Sequence, residues 1–431
     1  MLYGKPSLNA RSNVCFGLRQ THVLNRLKDT TERSETVHVM KYVFPRQFSL
    51  HNAFTSEVDP KDTAQAFKDY TLREKEIKRT VLKDIRSKSK VPKRLRGACE
   101  KLIARLRRKH RGCSYPALIR HYCPIDSTSS GCANTNAMSL ATAASQVSAF
   151  CRSVVAHVFP SQLWGVGEIG AHNKARIMYH IDRFVALRRY ESMTLHEVLQ
   201  DIKITDIPWL VPQDYNDKTK MAASDFSKRK ELLAELVYYL FDSFLVPLVN
   251  SSFHVTESSA HRNQLFYFRH DVWRQLAEPT LNEMRSSMFQ ELPPTTVKRL
   301  LSRRGLGTSQ VRLLPKESGL RPIINLRRRL LTRINGDMVL GRSINSILTP
   351  AFNVLNYEKV CMKSLIMELM LTSCSRWHHN DWVHHSSPPT ISFLNCNSFA
   401  PNCKRVAISA SLSTLPSSTC AHVSTQYRKV L

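Results

Sequence analysis

Residues Leu232–Val249, LLAELVYYLFDSFLVPLV, are the most apolar stretch of this 431-residue sequence. Leu232, Leu233, Leu236, Leu240 and Phe244 recur at the three-to-four-residue spacing of one helix face. A membrane span needs about 20 apolar residues with few or no charges, and here Glu235, Asp242 and Pro247 interrupt the run. The stretch therefore reads as a buried amphipathic helix of a soluble, intracellular protein with no membrane partner. Upstream, KARIMYHIDRFVALRRY (174–190) places Ile177, Ile181, Phe184 and Leu187 on one face. A helical pattern over Ser139–Ala156 breaks at Phe159-Pro160, and a shorter one over Leu195–Ile204 is ended by Pro208. The segment 208–230 reads as a polar loop, with the long helix beginning near Lys228. Residues 71–250 are thus expected to be mostly helical, and the fold class mainly α. Downstream, VRLLPKESGLRPIINL (311–326) reads as two short strands about a Glu317-Ser318-Gly319 turn, where Gly319 supplies the positive φ of a hairpin loop.

Charge narrows the partners. Lys and Arg number 63 against 34 Asp and Glu, a net +29 and an isoelectric point near 9.9. So basic a chain repels itself unless a polyanion shares its surface. Nucleic acid fits best on charge, ahead of the bland alternatives of a ribosomal-type protein or an anionic membrane surface. The cations concentrate in residues 71–111, which hold 17 Lys or Arg and 4 Asp or Glu. There Leu95, Leu102 and Leu106 form an apolar stripe among basic residues, an arrangement suited to phosphate contact. The 11 cysteines are an odd, scattered count, and MLYGKPSLNARSNVCFGLR contains no signal-peptide core, so free thiols are expected.

Several segments are familiar. FHVTESSAHRNQLFYFRHDVWRQL (253–276) resembles the T motif of telomerase reverse transcriptases, and VRLLPKESGLRPIINL resembles their motifs 1 and 2. FNVLNYE (352–358) is similar to the segment after motif 2. VFPSQLWG (158–165), with the helix after it through DIPWL (206–210), resembles the CP-type region. YPALIRHYCP (115–124) and KYVFPRQF (41–48) resemble earlier parts of the RNA-binding domain. The order matches the family's over residues 41–358.

The first forty residues, polar and basic without clear periodicity, read as a flexible leader, and the resemblance implies a helical telomerase RNA-binding domain over 41–280. A partial α/β fingers segment with its β-hairpin would cover 281–358, and an irregular, aberrant or disordered tail 359–431. Telomerase RNA is the implied partner, with telomeric DNA and accessory proteins in the intact enzyme, in the nucleus at chromosome ends. Phe253, Tyr267 and Phe268 are the base-stacking candidates, with the core as the alternative for each aromatic. Arg262 and Arg269 are the phosphate candidates, and Tyr179, Arg183, Arg188 and Arg189 line a further polar face. Trp164 and Trp209 read as core. By position, Lys316 and Arg321 match the family's triphosphate contacts, Lys as a point charge and Arg as a bidentate fork.

Nucleotidyl transfer needs Mg²⁺ held by carboxylates. After Glu358 the only acids are Glu368 and Asp381. No catalytic residue and no metal ligand is therefore assigned, and the chain as given is expected to bind no Mg²⁺ and to be inactive alone. Nothing resembling the family's N-terminal domain precedes residue 41, and the tail matches no family segment, as in a truncated product. A stand-alone RNA-binding protein or a dominant-negative splice form is the other reading. The last 71 residues hold 18 Ser or Thr, 5 Cys and paired histidines, in no zinc-ligand spacing.

Overall fold

The computed structural model describes residues 2–26, 32–55, 73–78, 91–125, 137–211, 221–261, 263–287, 289, 292–303, 309–316, 319–329, 331–334 and 337–377. Two compact units emerge, Met1–Glu278 with Leu314–Arg321, and Pro279–Leu313 with Pro322–Leu431.

The first unit is helical, as expected. Its helices are α1 (Glu32–Val43), α2 (Ala98–Arg111), α3 (Tyr115–Tyr122), α4 (Ala144–Val158), α5 (Gly167–Ala186) and α6 (Leu195–Leu199). A continuous helix follows, made of α7 (Ala223–Tyr238), a π-helical segment (Tyr239–Leu245) and α8 (Val246–Ser252). Helix α4 is central: α2, α3 and α5 all pack on it. Its Val147, Phe150, Cys151, Val154, Val155 and Val158 repeat at helical spacing and are buried. Trp164 and Trp209 are core residues too, the latter donating from its indole N–H to Leu163 O at 3.0 Å.

The helix Ala223–Ser252 is long and apolar enough to cross a membrane, yet Leu232, Leu233, Leu236, Leu240 and Phe244 lie in the protein core. Pro247 has no N–H to give Ser243 O, four residues back. His22 fills the gap, its Nε2 donating to that carbonyl at 2.7 Å while its Nδ1 accepts Leu24 N–H.

That contact corrects the expectation of a flexible leader over 1–40. Its described residues form a small hairpin, β1 (Ser7–Leu8) with β2 (Val14–Cys15), and then bury Leu18, Val23 and Leu24. Most of α1 also belongs to these forty residues, with Val37, Val39 and Met40 in the core. The segment lacks periodicity because its anchors are hydrogen bonds to distant residues rather than an apolar stripe. Tyr3 N–H donates to Val255 O at 2.8 Å, and Gly4 lies so close that a Cβ there would meet Phe253 O at 2.4 Å.

Strand β3 (Phe253–Thr256) pairs antiparallel with β4 (Phe266–Arg269), setting Phe253 opposite Arg269 and Thr256 opposite Phe266. Tyr3 borders β3 and Thr142 borders β4, so each edge is partly covered. Helix α9 (His270–Ser287) continues directly from β4.

The expected hairpin is present as β5 (Val311–Pro315) and β6 (Leu320–Ile324). Lys316 N–H donates to Gly319 O at 3.0 Å, and Gly319 has φ +89°. In the second unit α10 (Pro294–Arg303) precedes an unforeseen hairpin of β7 (Leu331–Ile334) and β8 (Asp337–Leu340). Helix α11 then runs from Ile344 to Trp377 without a break at residue 358. The expectation of an irregular tail from residue 359 is therefore wrong through Trp377; residues 378–431 lie outside the described residues. Phe352, Val354, Leu355, Tyr357, Val360 and Met362 of α11 are exposed.

Candidate nucleic-acid interface

Helix α2 is built for two environments. Cys99, Ile103, Leu106, Arg107 and His110 face inward at three- and four-residue steps. Leu102 is only partly buried and Leu95 lies in the turn before the helix, so the inward stripe differs from the one expected. Arg107 is buried yet satisfied, ion-paired with Glu35 of α1 and donating to Thr36 Oγ1. The hydrogen bond from Arg107 holds the Glu35 carboxyl below its ordinary range. On the outer face Lys101, Arg105, Arg108 and Lys109 are exposed, and none has an ion-pair partner among the described residues. These four lie within about two helical turns on one side, spanning roughly 12 Å.

Most other arginines of the unit are occupied. Arg94 and Arg229 share Asp225, Arg189 pairs with Glu257, Arg176 with Asp201, and Arg269 with Asp271. The α2 stripe is therefore where a polyanion gains charge neutralisation without first displacing a carboxylate.

The aromatic candidates in the β3–β4 hairpin are corrected. Phe253, Tyr267 and Phe268 are each 1% exposed or less, so no base reaches them. Phe253 meets Phe150 and Tyr267 edge-on, with centroids 5.9 and 6.3 Å away, and Phe268 lies 5.2 Å from Trp273. Tyr267 also donates its hydroxyl to Val185 O at 2.7 Å. Arg269 is buried as well; it pairs with Asp271, donates to Cys123 O at 2.7 Å and sits 5.4 Å above the Phe16 ring. It ties segments together rather than meeting phosphate. Arg262 lies outside the described residues.

Tyr179, Arg183 and Arg188 are exposed, as a contact surface requires. Beside them stands Tyr190, missed in the sequence, 75% exposed and packed against the Arg189 guanidinium. Arg189 N–H donates to Asn263 O at 2.9 Å, which fixes this turn against the β3–β4 loop. Asn173, also missed, is fully buried: its amide donates to Trp164 O and Lys203 O and accepts from Lys203 N–H. A polar residue on an apolar helix face carries that signal, but its partners cannot be read from spacing.

Lys316 and Arg321 are both exposed at the β5–β6 turn. The turn is held to the β3–β4 loop, where Ser259 N–H donates to Pro315 O at 3.1 Å. Cys15, Cys99, Cys113, Cys123, Cys151 and Cys361 are free thiols. Burial pushes Cys123 up to about 12 and Cys113 to about 11, so neither is a ready nucleophile at neutral pH. Among the described residues no group of three or more His, Cys, Asp or Glu gathers to hold a metal ion.

Residues 146–284 match the family model described as "Telomerase ribonucleoprotein complex - RNA binding domain". Telomerase reverse transcriptase of Rattus norvegicus is 28% identical over 269 residues, covering 60% of this chain and 23% of the rat protein. The Canis lupus familiaris protein of that name is 33% identical over 230 residues, or 52% of this chain and 20% of its own length. The chain thus spans less than a quarter of these relatives. A solved vertebrate RNA-binding domain of telomerase is 23% identical, with a TM-score of 0.43, covering 63% of this chain and 95% of that one.

Proposed function

Since the chain belongs, over the part that is matched, to the telomerase reverse transcriptase family, we propose that its first unit binds telomerase RNA. The observation that carries this is the unpaired, exposed stripe Lys101, Arg105, Arg108 and Lys109 on α2. A helix face with four uncompensated cations and no exposed aromatic suits the backbone of an RNA helix, which proteins recognise by shape and phosphate. Reversing three of these charges, as Lys101→Glu, Arg105→Glu and Arg108→Glu together, should weaken telomerase RNA binding by at least about tenfold at physiological salt. The slope of log affinity against log salt should become shallower by about 2 to 3, near 0.7–0.9 for each lost contact. Fluorescence anisotropy across a salt series measures both, and an unchanged slope would remove α2 from the interface.

The relatives' name implies RNA-directed DNA synthesis, and the finer reading follows from it. Lys316 and Arg321 at the β5–β6 turn are proposed to neutralise an incoming nucleoside triphosphate. Telomeric DNA and accessory proteins as partners, Mg²⁺ as the ion of the reaction, and the nucleus as location are proposed on the family alone. Among the described residues no group of three or more His, Cys, Asp or Glu comes together, and no residue of this chain is assigned to Mg²⁺. These 431 residues on their own are therefore proposed to be inactive; primer extension by the purified chain with telomerase RNA and Mg²⁺ is expected to yield no product, and any product would refute this.

A further inference from the structure

From Leu348 to Leu365 every residue of α11 is exposed, the large apolar ones included, with Phe352 at 65% and Leu355 and Met362 at 58%. Nothing among the described residues covers the helix over this length. The apolar side chains are not scattered. Leu348, Phe352, Leu355, Met362, Ile366 and Leu369, with Lys359 in their midst, follow one another at alternating steps of four and three residues. That alternation is the a/d seam of a heptad repeat, sustained here for three heptads. With Phe352 at a, the d positions hold Leu348, Leu355, Met362 and Leu369, and the next two a positions hold Lys359 and Ile366. Pro350, the one residue that disturbs a helix, falls at f, away from the seam.

The charges beside the seam say what covers it. Glu358 falls at g and Lys363 at the following e. Both are exposed, and neither has an ion-pair partner among the described residues. Five residues apart, they lie on different sides of one helix and cannot pair within it. In two parallel, in-register helices of this sequence, g of each faces the next e of the other, so Glu358 of each copy meets Lys363 of the other. Run antiparallel, g meets g and e meets e, and the pair is lost. Leucine at d with Ile366 at a favours two strands, and a single lysine at a, Lys359, fixes register at some cost in stability. Its long stem covers the seam while the ammonium reaches water. The stretch Leu348–Leu369 carries two Lys and two Glu, so it is neutral within a chain of net charge +29. A neutral apolar face offers a polyanion no counterion release, and it adds no repulsion between two copies.

We propose that α11 is a self-association surface, through which two copies of this chain join in a parallel, two-stranded coiled coil along Leu348–Leu369, kept in register by Glu358–Lys363 pairs across the seam. The surface lies in the second unit and is independent of the RNA-binding reading of the first.

The test is sedimentation equilibrium of the full, nuclease-treated chain over a concentration series. The 49.4 kDa chain should approach twice its mass as concentration rises. Leu355→Asp with Met362→Asp should keep it monomeric. Both side chains are exposed in the single chain, so the melting temperature should not fall. Tyr357→Asp, at the outward f position, should leave the dimer affinity unchanged within about twofold. Glu358→Lys should weaken the dimer about 5- to 30-fold, as should Lys363→Glu, because two weak pairs each turn from attraction to repulsion. The two changes together should restore it. A wild-type chain that stays monomeric at every concentration overturns the proposal. So does a loss on Tyr357→Asp as large as that on the seam substitutions, which would mean unspecific apolar clustering. Failure of the paired charge swap to rescue the dimer overturns the parallel register.

Discussion

Phe253→Ala is expected to destabilise the protein by about 3–5 kcal/mol, the usual cost of emptying a packed aromatic site, while leaving the RNA affinity of the folded fraction unchanged. Phe253 is fully buried, edge-on to Phe150 of α4 and to Tyr267 across the hairpin, and Gly4 of the N-terminal segment lies over its carbonyl. The truncation leaves a cavity where β3, α4 and the N-terminal segment meet, and none of these can collapse without breaking backbone hydrogen bonds. Urea unfolding gives the stability change, and anisotropy at low temperature gives the affinity. A loss below about 1 kcal/mol, combined with a large drop in affinity, would mean that the hairpin opens and presents Phe253 to RNA.

Acid should loosen the same region. Burial lowers the pKa of His22, His110, His254 and His270 from 6.5 to about 4 in the folded protein. Three of them fasten the N-terminal segment as neutral rings. His22 donates to Ser243 O and accepts from Leu24 N–H, and His110 lies between Tyr115 Oη and Asn25 Oδ1, 2.6 Å from each. His254 Nδ1 faces Gly4 O at 3.3 Å, and His270 Nε2 bonds Asn250 O at 2.9 Å. Protonation puts a donor where His22 and His110 now accept. Because the folded values lie below the unfolded one, the stabilisation is complete above pH 6.5 and is lost as pH falls from 6.5 towards 4. Each histidine contributes about 2 kcal/mol of loss between pH 7 and pH 5. Glu235, pushed up to about 8 by burial, acts in the opposite sense over this interval. Its protonated folded form gains ground as pH falls, offsetting one or two of the histidines. The net expectation is a loss of several kcal/mol in urea unfolding at pH 5 relative to pH 7, steeper in Glu235→Gln. A stability that is flat or rising over this range would show that the rings are not neutral in the fold.

The spacing of apolar residues was enough to place the long helix through Leu232–Val249 in a core, because an apolar period of 3.6 residues admits few other structures. Local chemistry likewise placed the β5–β6 hairpin, since Gly319 supplies a backbone conformation that most residues resist. Motif order carried the family. Burial of the β3–β4 hairpin was not legible, because a strand shows which residues alternate and not whether both its faces will be covered. Here α4 and Trp273, with Tyr3 and Thr142 at the edges, cover it and take Phe253, Tyr267 and Phe268 away from RNA. The packing of the first forty residues depends on partners as far off as Ser243, 221 positions from His22. Charge followed the same rule. Composition fixed the excess of cations, but which ones are free was decided by acids brought close in space, such as Asp225 beside Arg94 and Asp201 beside Arg176. A carboxylate cancels a guanidinium by distance in space, not along the chain, so only the tertiary structure separates the open face of α2 from the neutralised flank of α5.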